Sequence, residues 1–303
     1  MENTIKHDGE LKAERWEVDN EEYHASKEEA SSSTLKLARR SLELYEAMYV
    51  KGEVTSSGPS PEMKFGSAFH CALLEPEEFE GRYTFEPEEI DGEPINKRLK
   101  AHREFLAGWG ENNGGKVVLA ANDAERIEKM MAMINENSAV KTLMATGEAE
   151  LAVKFSINQK EAMTGDFPLK AMFDWVCSDR EIIMDVKTTR LAGGPEVFRR
   201  EIDNREYHCQ AALYCEAYRQ MYGVVPEFYW LFVHTEAPYE NYVFKMGDAT
   251  REIGTEIQLA TIRSLSAAQA MNHYRNPTVG TAETTIEVGR YGGTVSPLNN
   301  SIN

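Results

Sequence analysis

The stretch "EIIMDVKTTR", residues 181–190, governs how this chain reads. It opens as a buried strand, with Ile182, Ile183 and Met184 in an apolar run. It then places Asp185 and Lys187 with one residue between them, followed by two threonines. A strand turns residues i and i+2 to the same face. One carboxylate and one ammonium therefore converge on a single spot. Taken alone, such a pair is ordinarily a solvated ion pair at a strand end, so its meaning rests on the elements around it.

Two apolar strands precede it, "AELAVKFSI" (149–157) and "PLKAMFDWVCS" (168–178). A tight turn at Ser178 and Asp179 joins the second of these to residues 181–189, and Asp174 lies late in that second strand. Antiparallel pairing then brings Asp174 and Asp185 close together. Two such carboxylates repel unless one is protonated or a cation lies between them. With the Val186 carbonyl and water they form a hard-oxygen site of the kind Mg²⁺ uses. Lys187 cannot bind a metal while protonated. It can orient a water, stabilise a developing anion, or act as a base if its pKa is lowered. Metal, lysine and water together describe phosphodiester hydrolysis.

The helix read over 205–223 carries Gln210 and Tyr214 on one face. His70 lies in "FGSAFHCALLE" (65–75), one helical turn after Gly66. Further helices are expected over 31–48, 63–79 (ending near Pro76), 122–145 and 248–275, and further strands over 227–235 and 241–246. Residues 1–30 read as an acidic, poorly ordered arm, 31–275 as one domain, and 276–303 as a flexible tail. Within the domain, 31–146 is the helical part and 147–275 the sheet core. The fold class is therefore α/β: a mixed β-sheet flanked by helices, with a helical N-terminal wrap.

The formal net charge of −17 argues against a nucleic-acid partner if charge is spread evenly. A local basic groove within an acidic protein escapes that argument. Lys97, Arg98, Lys100 and Arg103 form a run without an acid between them, and Arg190 follows the 181–189 strand. These five are the expected phosphate contacts. Cys71, Cys177, Cys209 and Cys215 form no C-x-x-C pair, which fits a reducing compartment and excludes a structural zinc site. The N-terminus is polar, and no apolar run approaches the roughly 20 residues that span a bilayer. A cytoplasmic protein without a membrane partner is expected.

The order Gly-x-x-x-His, Asp, Asp-x-Lys-Thr and Gln-x-x-x-Tyr resembles the RecB-like branch of the PD-(D/E)XK nuclease superfamily. "YHASKEEASSSTLKLARRS" (23–41), "FGSAFHCALLEPEEFEGRY" (65–83) and "REYHCQAALYCEAY" (205–218) narrow the resemblance to the phage-type exonuclease VIII (RecE-like) family, over residues 23–274. The resemblance implies a PD-(D/E)XK core in which His70, Asp174 and Asp185 hold Mg²⁺, with Mn²⁺ also supporting activity. It further implies that Lys187 serves the attacking water and that Gln210 and Tyr214 position the phosphate and the metal ligands. Glu150 matches an acidic position of the family.

The implied activity is exonucleolytic digestion of double-stranded DNA from 5′ ends, leaving a 3′ strand for a RecT-like annealing protein. Relatives form rings around DNA. Phe173 stands where this branch commonly has proline, and no cysteine follows Cys215, which rejects an iron–sulfur cluster. Two readings remain beside the exonuclease: an endonuclease or single-strand-preferring nuclease of the same fold, and an idle DNA-binding or assembly subunit. Every position the chemistry needs is filled, which speaks against idleness.

Overall fold

The computed structural model describes residues 13–55, 58–158 and 165–275. From the N-terminus the elements are β1 (Glu14–Arg15), α1 (Asn20–Ala25), α2 (Ser32–Arg40), α3 (Leu42–Tyr45), α4 (Pro61–Leu74), α5 (Pro76–Arg82) and β2 (Tyr83–Phe85). Next come β3 (Glu89–Ile90), β4 (Glu93–Pro94), α6 (Lys100–Glu111), β5 (Val117–Leu119), α7 (Asp123–Glu136) and α8 (Ser138–Leu143). The sheet-bearing half is β6 (Glu148–Asn158), β7 (Asp166–Cys177), β8 (Ile182–Thr189), α9 (Pro195–Asn204), α10 (Tyr207–Tyr222), β9 (Glu227–His234), β10 (Asn241–Lys245) and α11 (Asp248–Met271).

One six-stranded sheet in the order β1-β6-β7-β8-β9-β10 forms the centre. All neighbours are antiparallel except β8 and β9. A parallel pair needs a crossover, and α9 with α10 supplies it. The alternation of β8 divides its side chains between two cores. Ile183 faces a core with Leu35, Phe173, Phe198, Tyr218 and Leu265, built by α2, α9, α10 and α11. Ile182, Met184 and Val186 face a core with Phe69, Met130 and Ile134, built by α4, α7 and α8. The expected mixed sheet between helical layers is what the chain forms.

The sheet is not uniformly closed. β6 and β7 pair from Glu148↔Val176 to Asn158↔Asp166, and β8 pairs with β9 from Ile182↔Glu227 to Thr189↔His234. Between β7 and β8 the ladder covers only Trp175↔Met184, Val176↔Ile183 and Cys177↔Ile182. Past that point the two halves diverge as a fork, and Asp174 and Asp185 stand one step beyond the last pair.

Four expectations change. The arm does not extend to residue 30: β1 pairs with β6, and Tyr23, only 5% exposed, packs on Ala152 and Met172. Lys170 Nζ ties this segment down by donating to the carbonyls of Tyr23 at 2.5 Å and Ser26 at 2.7 Å. Residues 1–12, 56–57, 159–164 and 276–303, the last being the expected tail, lie outside the described residues. The helix expected over 122–145 is two, because the Asn137 side chain accepts from the Ala139 and Val140 amides and caps a new start. The helix expected over 31–48 likewise restarts at Ser41, whose hydroxyl accepts from the Leu44 amide. Finally, α9 was not read from the sequence at all. Among the described residues, no helix is long and apolar enough to cross a membrane.

Helices α10 and α11 approach closely at Gly254. A Cβ there would lie 2.3 Å from the His208 carbonyl oxygen, so only glycine permits the crossing. Gly254→Ala must push the helices apart, and overpacking of this kind costs about 1–3 kcal/mol. The expected result is a lower urea midpoint with an unchanged slope; an unchanged midpoint would show that the crossing relaxes freely.

Candidate metal centre and active site

The fork collects the chemistry. At its base the Val186 amide donates to Asp174 Oδ2 at 2.7 Å. A side-chain carboxylate thus takes an amide that a strand partner would otherwise receive. The Asp185 carboxylate is buried. Lys187 Nζ lies 2.8 Å from each of its oxygens and donates to Oδ1. Gln210 Nε2 also donates to Asp185 Oδ1 at 3.2 Å and to the Tyr214 hydroxyl at 3.0 Å. Asp185 Oδ2 receives no hydrogen bond of proper direction among the described residues.

His70 arrives from the opposite layer. Gly66 lets α4 lie against β8, since a Cβ there would stand 3.2 Å from Thr188 Oγ1. One turn later, His70 Nδ1 lies 3.7 Å from Asp174 Oδ2. The third member is Glu150. Its backbone is left-handed, with φ of 51°, near the start of β6. For a residue other than glycine this costs about 1–3 kcal/mol and persists only where the surroundings enforce it. The kink exchanges the faces of the strand: Leu151 and Val153 pack in one core, while Ala149 packs against the other. Ligand atoms of His70, Glu150 and Asp174 lie within 4.8 Å of one another.

The electrostatics follow from burial. Desolvation, reinforced by the Asp174 charge, pushes Glu150 up to about 8. Desolvation also raises Asp185 to about 6, against the pull of Lys187. Asp174 is raised by burial too, with Lys187 and the Val186 amide opposing. His70 is lowered to about 4 by burial and then by Lys187, while the Asp185 charge and then the Val186 backbone pull the other way. It is thus a neutral imidazole at neutral pH. Lys187 moves upward: burial lowers it, but Asp185 and Asp174 outweigh burial. Nothing in the metal-free cleft lowers Lys187 toward a base, and it stands there as a held ammonium.

The expected metal set of His70, Asp174, Asp185 and Val186 is gathered at one fork, but not as one shell. His70, Glu150 and Asp174 form the tight cluster. Asp185 faces Lys187 and Gln210, and Val186 offers its amide to Asp174. Three desolvated carboxylates and one neutral imidazole fit a divalent cation, which would offset the burial that raises all three acids and the carboxylate repulsion that adds to it at Glu150 and Asp185. Glu150 carries more than the sequence assigned it; the signal was an acid at the head of an apolar strand. Tyr207, which the sequence reading passed over, places its ring centroid 5.2 Å from Lys187 Nζ. It precedes Gln210 by three positions, on the same helical face.

The expected phosphate contacts are exposed and engaged elsewhere. Lys97 pairs with Glu86 at 2.5 Å and Lys100 with Glu104 at 3.4 Å. Arg103 donates to the carbonyls of Lys97 and Arg98 at 3.1 and 2.9 Å. Arg190 pairs with Glu236 at 3.3 Å. Among the described residues no hydrogen bond or ion pair joins any of the five to the fork.

A mixed sheet that opens beside an Asp, an Asp-x-Lys and a Gln-x-x-x-Tyr helix defines a nuclease of the PD-(D/E)XK type. Residues 31–287 match the family described as "PDDEXK-like domain of unknown function (DUF3799)", and the chain belongs to that family. Among solved structures, a protein described as "putative exonuclease" from Eubacterium rectale shares the fold, with a TM-score of 0.57 at 14% identity, covering 90% of this chain and 97% of the other. A phage-related exonuclease from Haemophilus somnus 129PT aligns over 60% of this chain and 91% of its own, at 10% identity and a TM-score of 0.32, too low to carry an argument. No curated protein matches the chain.

A cation seated at the fork stabilises the folded state by mass action, about 2.7 kcal/mol at one hundred times its dissociation constant. Adding Mn²⁺ to the metal-free protein should raise its unfolding temperature, and Glu150→Gln or Asp174→Asn should remove most of that rise. Equal rises in wild type and both variants would place the ion elsewhere.

Proposed function

We propose that the protein is a metal-dependent exonuclease acting on linear double-stranded DNA, degrading from the 5′ end and leaving a 3′ single strand for recombination. The observation that carries this reading is the meeting of His70, Glu150, Asp174 and Asp185 with the ammonium of Lys187 at a break in the sheet. The exonuclease description of the Eubacterium rectale protein agrees with it. The substrate is the end of a duplex, and the product strand passes to a RecT-like annealing protein. A homo-oligomeric ring in the cytoplasm, acidic outside and basic within, would reconcile the charge of −17 with DNA. Lys97, Lys100 and Arg190 would then meet phosphate only by exchanging their present acidic partners for it, and Arg103 by leaving the carbonyls it holds, with Arg98 beside them.

His70, Glu150, Asp174 and Asp185, with the Val186 carbonyl, are the residues that would hold the ion. When bound, a divalent ion (Mg²⁺, with Mn²⁺ as a substitute) supplies Lewis acidity toward water and the scissile phosphate. Lys187 contributes a fixed positive charge and N–H donors, which orient the attacking water and stabilise the anion that develops on phosphate. Asp185 anchors the Lys187 ammonium on one side. Gln210 fixes the orientation of Asp185, and Tyr214 fixes that of Gln210. An imidazole ligand suits Mn²⁺ better than Mg²⁺, so His70→Ala should reduce the Mn²⁺-supported rate more than the Mg²⁺-supported one. An unchanged ratio would return His70 to a packing role.

The test of the activity compares linear with covalently closed duplex DNA in Mg²⁺. Loss of the linear form alone is expected, and cutting of the closed circle would replace the exonuclease with an endonuclease. Asp185→Ala should abolish cleavage. Activity within about tenfold of wild type, a barrier change of about 1.4 kcal/mol, would remove Asp185 from the site. Lys187→Arg keeps the charge but brings a larger planar group into the space between Asp185 and Tyr207. A single-turnover loss of at least about a hundredfold is expected, with duplex binding in Ca²⁺ near wild type. A near-native rate would reduce Lys187 to an ion-pair partner.

A further inference from the structure

Lys187 is reached from two sides, and only one of them is an acid. Asp185 approaches its ammonium at 2.8 Å. On another side lies the ring of Tyr207, with its centroid 5.2 Å away, inside the range of a cation–π contact. The ring is itself held. Glu206, left-handed at φ of 59°, turns the chain from α9 into α10 and sets where Tyr207 emerges. Phe232, the β9 partner of Lys187, packs 6.2 Å from the ring. The Tyr207 hydroxyl makes no hydrogen bond among the described residues, so the ring rather than its polar tip is what the site uses. Asp185 alone cannot fix the ammonium. A lysine side chain is a flexible four-carbon stem ending in a point charge, and it can swing while staying near both carboxylate oxygens.

We infer that Tyr207 is a positioning residue for Lys187: its ring face and the Asp185 carboxylate confine the ammonium so that a remaining N–H points into the fork. The inference rests on the role given to Lys187 under the proposed function. A partly desolvated cation–π contact is worth about 2 kcal/mol, roughly thirtyfold in rate. The discriminating property is the electron density of the ring, since fluorination weakens the face while barely changing its size.

The experiment places phenylalanine and mono-, di- and trifluorophenylalanine at position 207. It measures single-turnover cleavage of linear duplex DNA in Mg²⁺, binding of the same duplex in Ca²⁺, and the unfolding temperature. Tyr207→Phe should retain most activity, each added fluorine should lower the rate, and Tyr207→Leu should lose about ten- to thirtyfold. Binding and unfolding temperature should stay flat across the fluorinated series. In the metal-free protein, the Lys187 ε-methylene signal of ¹³C-lysine-labelled samples, assigned through Lys187→Met, should be shifted upfield by the ring in wild type and Tyr207→Phe but not in Tyr207→Leu. A flat rate series together with an inactive Lys187→Met overturns the inference and leaves the role of Lys187 intact. An active Lys187→Met overturns that role instead, and the ε-methylene shift then reports whether the contact itself exists.

Discussion

The hydrogen bond from the Val186 amide to the Asp174 carboxylate, 2.7 Å long, is the constraint on which the site depends. It lies where β7 and β8 stop pairing. A buried amide left without an acceptor costs about 1–3 kcal/mol, so the sheet can open there only because a carboxylate takes the amide. Opening the sheet is also what creates a site. In a closed ladder the two helical layers would be sealed from each other. At the fork, His70 from α4 and Gln210 from α10 reach opposite sides of the same pair of strands. Asp174 therefore ends the ladder and opens the cleft in one act, and its charge is already partly stabilised before any ion is present.

The alternation of β8 then assigns the roles. Val186 faces the α4 layer, and Asp185 and Lys187 face the α10 layer, because neighbours in a strand point apart. Three consecutive residues thus serve both sides of the molecule. The cost of this arrangement is electrostatic: three carboxylates held in a poorly hydrated cleft are each raised above their ordinary range. Lys187 offsets part of that, and its own pKa rises as a result. Its usefulness lies in being a charge that does not move.

Much of this was legible in the sequence, for identifiable reasons. The strands carrying Asp174 and Asp185 show as apolar runs flanking a short turn. Gln210 and Tyr214 share a face by helical spacing, and Gly66 announces the close approach that delivers His70. What was hidden depends on geometry that no periodicity encodes. Glu150 matches an acidic position by resemblance, but only its left-handed backbone brings it to Asp174. Tyr23 reads as one aromatic in an acidic arm until β1 pairs with β6 and buries it. Asn137 sits inside an unbroken helical pattern, and only its side-chain cap shows the break. The protonation of Lys187 was equally invisible, because it depends on whether two acids outweigh burial.

The charge of the protein and its proposed substrate meet at the same fork. With a net charge of −17 the long-range field repels phosphate, and Lys97 and Lys100 are already paired with acids. Attraction must then arise locally, over distances shorter than the roughly 8 Å screening length at physiological salt. Within that range the fork presents an ammonium that is itself held by an acid and a ring, beside carboxylates that become attractive to phosphate only when a cation bridges them. The acidic cleft in the metal-free state therefore repels phosphate, and a divalent cation held there as proposed would offset its acids. On the proposed metal-dependent reading, a cation would be a condition for substrate approach as well as for chemistry, and both would follow from placing three carboxylates where the sheet divides.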